Sequence, residues 1–303
     1  MYCILQYYPV VTIDVIIAAN FNLYNFILII MKTILAATNY TDLAENAVSW
    51  AAGIARLNKH KVILLNDFTI SVHVENARLS AEHVEEMIEA NRLLLESKAL
   101  LLADEYGIET VAKATFSFIE NAIKEVVAEY QPEFIVMGME EKSLEQELLG
   151  NTTTSIIKKL RIPVLAVPAH VKFSVPKKVL FACDVLNGVS EEILAQVKEV
   201  ALVTKAEIEI LLINQTVEEL QKAGADASAL NRIDDGLEGI DYYYKNVKSD
   251  SIINGIAKEI KKMGADLLIM VPEQHGFWGS MVHRSKTRIM ASGLNIPLYS
   301  IPV

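Results

Sequence analysis

Lys32-Thr-Ile-Leu-Ala-Ala-Thr-Asn39 and Lys177-Lys-Val-Leu-Phe-Ala-Cys-Asp184 are two versions of one pattern: a basic start, a short apolar run, and a polar Asn or Asp at its end. A continuous apolar run of that length predicts a strand buried on both faces. Each copy leads into an amphipathic helix. In the first, Asp42 with Glu45 is expected to form a capping box, and Leu43, Ala47, Val48, Ala51 and Ile54 recur at helical spacing. In the second, Ser190 is the expected cap, ahead of Ile193, Val197, Val200 and Ala201. Another apolar run follows in both copies, Val62-Ile-Leu-Leu-Asn66 and Ile210-Leu-Leu-Ile-Asn214.

The ends of the copies align more closely. Glu133-Phe-Ile-Val-Met-Gly138 matches Asp266-Leu-Leu-Ile-Met-Val271, and Ile162-Pro-Val-Leu-Ala-Val-Pro168 matches Ile296-Pro-Leu-Tyr-Ser-Ile-Pro302, at offsets of 133 and 134 residues. Repetition of strand, helix and strand predicts an α/β fold of two tandem domains, 31–170 and 176–303. In the first half a long helix, from Ser80 to about Gly107, is expected to turn Val84, Met87, Ile88, Leu94, Leu95, Leu101 and Leu102 inward. Its counterpart around 217–237 is shorter and richer in Gly and Ala.

Composition narrows the function classes. A chain of 303 residues suits two compact units. Its 28 basic and 38 acidic residues give a net charge of −10 and a pI near 5.2. That balance argues against a nucleic-acid partner, because phosphate binding wants a positive face. Only Cys3 and Cys183 are present, so neither a disulfide framework nor a Cys-rich metal module is available. The expected location is the cytoplasm.

Residues 1–30 stand apart, with Asp14 their one charge. The charge-free stretch from Val15 to Met31 falls short of the roughly 20 residues of a membrane helix, and Asn20, Asn22 and Asn25 interrupt it. Three readings fit: a membrane anchor, an extra segment packed on the fold, or a start-site artefact with Met31 as the true start. Membrane contact is expected only if this segment is native. The mean hydropathy of +0.28 owes much to it.

In an open parallel sheet, ligands bind beyond the carboxyl ends of the strands, where strand order reverses. The segments to inspect are those following the first and fourth strands of each half. After the fourth, the first half reads Gly138-Met-Glu-Glu141-Lys142 and on to Gly150-Asn151-Thr-Thr-Thr154. The second reads Val271-Pro-Glu-Gln274-His275 and on to His283-Arg284-Ser285-Lys286. With the opening Met31-Lys-Thr-Ile-Leu-Ala-Ala-Thr38 region and the Ile-Pro-x-x-x-x-Pro endings, these halves resemble the universal stress protein family. That family has a Rossmann-like fold, and its nucleotide-binding members carry Gly-x-x-Gly, nine residues, then Gly-Ser or Gly-Thr after the fourth strand. The resemblance covers 31–303. It implies two tandem Rossmann-like (adenine nucleotide alpha hydrolase-like) domains, each a five-stranded parallel sheet with helices on both faces. It further implies an intramolecular pseudo-dimer paired through Val164–Val167 and Leu298–Ile301, and leaves a homodimer open.

The phosphate motif departs from the family pattern in both halves. Gly138 matches the first glycine, but Glu141 stands at the second, Gly150 comes one residue early, and Asn151 replaces the hydroxyl. The family's aspartate after strand one is Asn39. Glycines admit backbone amides close to a phosphate, whereas a carboxylate there opposes a triphosphate. In the second half Val271, Gln274 and Arg284 hold the glycine positions, while Asp184 and Ser285 keep the polar ones. His275, His283, Arg284 and Lys286 offer side chains for an anion, Arg284 with a planar fork. The second half is therefore the expected anion binder and the first a largely structural copy.

Duller readings stand beside these. Gly138 and Gly150 also suit turn geometry, and His283 to Arg288 also reads as a solvated helix face. Tyr242-Tyr-Tyr244 reads as an edge strand or interface patch, Cys183 as a small core residue, and Glu85, Glu86 and Glu89 as solubilising charges. His275 and His283 lack the neighbours of a metal site. No nucleophile elbow, His-Glu-x-x-His or Walker sequence is present. The expected function is non-enzymatic sensing or binding of a small anionic metabolite or adenine nucleotide, ATP included, in the stress response. The alternatives are a nucleotide-dependent hydrolase or ligase of the same fold, and a ligand-free interaction module.

Overall fold

The computed structural model describes residues 32–68, 80–139, 151–183, 189–213, 227–250, 252–271 and 295–302, so the segment 1–30 lies outside the described residues. The first half runs β1 (Thr33–Ala37), α1 (Asp42–Asn58), β2 (Lys61–Asp67), α2 (Ala81–Tyr106), β3 (Thr110–Thr115), α3 (Ile119–Tyr130), β4 (Phe134–Met139), α4 (Asn151–Lys159) and β5 (Val164–Pro168). The second repeats the alternation with β6 (Lys178–Ala182), α5 (Glu191–Thr204), β7 (Glu207–Ile213), α6 (Ala227–Gly236), β8 (Tyr242–Val247), α7 (Ile252–Met263), β9 (Leu267–Met270) and β10 (Leu298–Ser300).

Successive strand residues point to opposite faces, and the core follows that alternation. Ile34, Ala36, Val62 and Leu64 enter one buried cluster; Leu35, Ala37, Ile63 and Leu65 enter the other. The first cluster is roofed by α1, α2, α5 and α6, through residues such as Ala51, Leu95, Val197 and Ile233. The second is roofed by α3, α4 and α7, through Ile123, Ile156 and Ile256. With both faces covered, the inner strands have little need of polar positions, which is why segments such as 34–37 and 62–65 read as unbroken apolar runs.

The halves do not form separate sheets. One ten-stranded sheet runs in the order β3-β2-β1-β4-β5-β10-β9-β6-β7-β8. Every pairing is parallel except β5 with β10, which is antiparallel, with Leu298 opposite Ala166 and Ser300 opposite Val164. Without that junction each terminal strand would be an unpaired edge. Both buried clusters continue across it, since each holds residues of both halves. At the far end of the second half, Tyr242, Tyr243 and Tyr244 lie on the edge strand β8.

Two local expectations are corrected. The N-cap of α1 is Thr41, whose hydroxyl accepts from the Ala44 N–H; Asp42 is the first helical residue and Glu45 turns elsewhere. On α2, Leu95 and Leu102 are buried as expected, but Leu94 and Leu101 are 55% and 68% exposed. The buried stripe is instead Asn91, Leu95, Ala99 and Leu102. Asn91 sets that rotation by donating through Nδ2 to Asn66 Oδ1 at 2.8 Å. The ends of α2 match the sequence, with Ser80 as N-cap and Gly107 at φ 65° closing the helix in the left-handed region. Ser190 caps α5, accepting from the Ile193 N–H. Among the described residues no helix is long and apolar enough to cross a membrane.

Candidate functional site

Strand order in the first half reverses between β1 and β4, so their carboxyl ends define the crevice where a ligand is expected. The β1–β4 pairing ends with Ala36 opposite Val136, two residues before Thr38 and Gly138; a β-carbon on Gly138 would meet Leu43, which follows Thr38 in the first turn of α1. The structure thus brings the ends carrying Asn39 and Gly138 together. Of the other residues singled out from the sequence, Asn151 is described only as the backbone start of α4. Glu141, Gly150, Asp184, Gln274, Arg284 and Ser285 lie outside the described residues.

The described groups at the end of β1 bond to one another and to α1 and α2. Asn39 Oδ1 accepts from the Thr41 hydroxyl at 2.6 Å and from the Thr41 N–H at 3.3 Å, closing a turn at the strand end. Tyr40 follows in the left-handed region, at φ 62°. Its N–H donates to Thr38 Oγ1 at 3.0 Å, and its hydroxyl donates to Asn91 Oδ1 at 3.3 Å. Thr38 Oγ1 in turn donates to Glu45 Oε1 at 2.7 Å, while Lys98 of α2 pairs with the other oxygen of Glu45. Asn66 Nδ2 donates to the Thr38 carbonyl at 2.7 Å. Burial, with the Glu45 charge nearby, raises the Tyr40 phenol above its ordinary range and keeps it a donor.

Gly138 has a steric account. A β-carbon there would stand 2.5 Å from Leu43 Cγ, so the missing side chain lets α1 sit close on β4. Its carbonyl accepts from Thr153 Oγ1 at 3.0 Å, which ties the first turn of α4 to the end of β4. Sequence reading passed over Thr38, Asn66, Asn91 and Lys98. Asn91 had a legible signal, since it interrupts an apolar stripe at helical spacing with Leu95.

The second half is built differently at the same place. Three residues separate the end of β1 from the cap Thr41, but seven separate the end of β6 from the cap Ser190. Val271, at the position of Gly138, is 7% exposed and belongs to the core cluster. Cys183 is half-buried against the same cluster. In the first turn of α5, Glu192 is held below the usual carboxylate range by its own N–H and the Ser190 hydroxyl. Among the described residues no group of three or more His, Cys, Asp or Glu is placed to hold a metal ion.

The profile of the universal stress protein family matches residues 31–168. Those residues belong to the universal stress protein family. The solved structures extend the likeness of fold over most of the chain. A universal stress protein from Archaeoglobus fulgidus DSM 4304 superposes with a TM-score of 0.65 at 18% identity, covering 89% of this chain and 98% of its own. A protein provisionally assigned to the family from Pseudomonas aeruginosa UCBPP-PA14 gives 0.57 at 15% identity, with coverages of 90% and 93%. A functionally unknown protein from Pseudomonas aeruginosa PAO1 gives 0.54 at 16%, with 90% and 92%. No curated protein sequence matches the chain. The universal stress fold therefore accounts for the doubled α/β architecture, and the crest of its first half is the crevice described above.

Proposed function

We propose that this chain is a tandem universal stress-type protein that binds a small anionic metabolite or adenine nucleotide without turning it over, in a cytoplasmic stress response. The second half supplies the working site, through Asp184, Arg284 and Ser285, and the first half is its structural counterpart. One contrast carries this reading. In the first half Leu43 sits over Gly138 and Asn39 closes a short turn, whereas the second half has a connection four residues longer after its first strand. Longer loops at the carboxyl edge of a parallel sheet are where such folds place recognition. A guanidinium there serves an anion by its fork, in place of the glycine amides that the second half lacks.

Titration of the full chain with a fluorescent adenine nucleotide tests the proposal. Arg284→Ala is expected to weaken binding about tenfold or more. Undiminished binding in that variant refutes the assignment to the second half. Sustained release of hydrolysed nucleotide over many turnovers refutes the non-enzymatic part.

A further inference from the structure

A second concavity lies at the other end of the strands, on the seam between the halves. It is a cavity of about 280 Å³. One wall is the later part of α1, with Trp50 and Ile54; the facing wall is α5, with Val200 and Val203. Leu165 and Tyr299, on the two strands that join the halves, form its floor. Phe173, from the segment connecting the halves, closes one side. Its ring meets Trp50 edge-on at 5.1 Å and lies where a β-carbon on Gly53 would be. The connecting segment is held there by Trp50 Nε1 donating to the Val171 carbonyl at 2.8 Å, and by Asn46 Nδ2 donating to the Pro168 and Val171 carbonyls. The cavity exists only because both halves and the connection are assembled.

Its chemistry differs from that of the crevice at the carboxyl ends of the strands. The lining is mostly apolar and includes four aromatic rings: besides Trp50 and Phe173, Phe134 and Tyr299 form another edge-on pair at 5.8 Å. The polar lining holds the carboxylates Glu133 and Glu199 beside Asn58, His60, Gln196 and Thr204. Glu133 and Glu199 reach the cavity and share one ammonium, that of Lys32, at 2.7 and 2.6 Å, while the Lys177 ammonium donates to the Thr204 carbonyl at 3.2 Å. Gln196 presents an amide oxygen that takes the Tyr299 hydroxyl at 3.1 Å. His60 also lines the cavity, is 8% exposed, and has no partner for Nδ1 among the described residues. Burial keeps its imidazole on the neutral side of its ordinary range, so the ring does not supply a positive charge.

A mostly apolar concavity with a few convergent polar groups is the usual form of a small-molecule site, and aromatic linings favour flat aromatic occupants. Two carboxylates, with no lysine or arginine among the lining residues, oppose a phosphate or sulfonate and favour a donor. We infer that the seam cavity is a binding site for a compact aromatic molecule, uncharged or singly cationic, that carries an N–H donor. The bound molecule bridges α1 and α5 and so strengthens the junction between the halves. This site is separate from the anion site proposed above and does not depend on it.

Aminoanthracene, a flat arylamine, is a suitable probe. In a Trp278→Phe background Trp50 is the sole tryptophan of the full chain. Saturable quenching of Trp50 is expected, with one probe per chain and a rise in the unfolding temperature. Val200→Phe and Ile54→Phe fill the cavity from opposite walls, and each is expected to weaken binding about tenfold. Anilinonaphthalene sulfonate, an aromatic with an anionic group, is expected to compete poorly. Two variants are used so that one that fails to unfold cooperatively can be set aside for the other. Absence of saturable quenching overturns the inference, as does equal affinity in a folded, cavity-filled variant.

Discussion

Leu43 occupies the space that a side chain at position 138 would need: a β-carbon on Gly138 would lie 2.5 Å from Leu43 Cγ and 2.9 Å from Cδ1. The glycine that matches the first phosphate-cradle position is thus used for packing a helix on a strand. Gly138→Ala is expected to destabilise the protein by about 1–3 kcal/mol through overpacking. Adding Leu43→Ala makes room, and most of that loss should return as a coupling energy in a double-mutant cycle followed by urea unfolding. Additive losses would contradict the packing account.

Asn91 joins helix, strand and crest, since it donates to Asn66 and accepts from Tyr40. Asn91→Ala leaves Asn66 Oδ1 buried without this donor, at an expected cost of about 1–3 kcal/mol. The urea midpoint should fall with an unchanged denaturant slope. Hydrogen exchange along α2 should quicken, because the helix loses the contact that fixes its rotation.

Glu209 is 2% exposed; one oxygen accepts from the Tyr243 hydroxyl at 2.8 Å and the other has no partner among the described residues. Burial raises its carboxyl above the ordinary 4.5, the Tyr243 hydrogen bond opposes this, and the Glu259 charge adds to it. The folded state therefore holds this proton more tightly than the unfolded one. The stabilising effect of protonation is complete below the unfolded value and is lost as pH rises through the folded value. Glu209→Gln should raise the melting temperature around neutral pH, and the gain should shrink to nothing below about pH 4. A gain that is the same at both pH values would show that ionisation is not its source.

Phe173 ties the connecting segment to α1 through Trp50 and Gly53. Its removal in Phe173→Ala should cost about 2 kcal/mol, less than for a fully buried ring. In the Trp278→Phe background, Trp50 emission should shift to the red, and limited proteolysis should begin to cut within 169–177. Unchanged emission would mean that the ring does not shield the indole.

Much of the fold is legible in the sequence because its signals are local. The strand runs, the caps Ser80 and Ser190 and the closing Gly107 depend on neighbours in sequence. The cap of α1 differs from its expected place by one residue because Thr41, Asp42 and Glu45 all carry side chains suited to a first turn. Which oxygen meets the free N–H depends on the path of the chain, and here Glu45 is drawn away by Thr38 and Lys98. The apolar periodicity of α2 does not choose between Leu94 and Leu95, which are about 100° apart on a helix. A buried polar bond, Asn91 to Asn66, makes the choice.

By itself, the sequence settled that two copies of one α/β pattern lie in tandem and that neither copy keeps a complete glycine cradle, because repeats and missing glycines are facts of residue order. Only the tertiary structure decided that β5 and β10 meet antiparallel, with Leu298 opposite Ala166, that Gly138 serves Leu43, and that a mostly apolar cavity opens where α1 meets α5. Those outcomes rest on contacts between residues far apart in the chain. Their energies depend on distance and shape, and no local pattern records them.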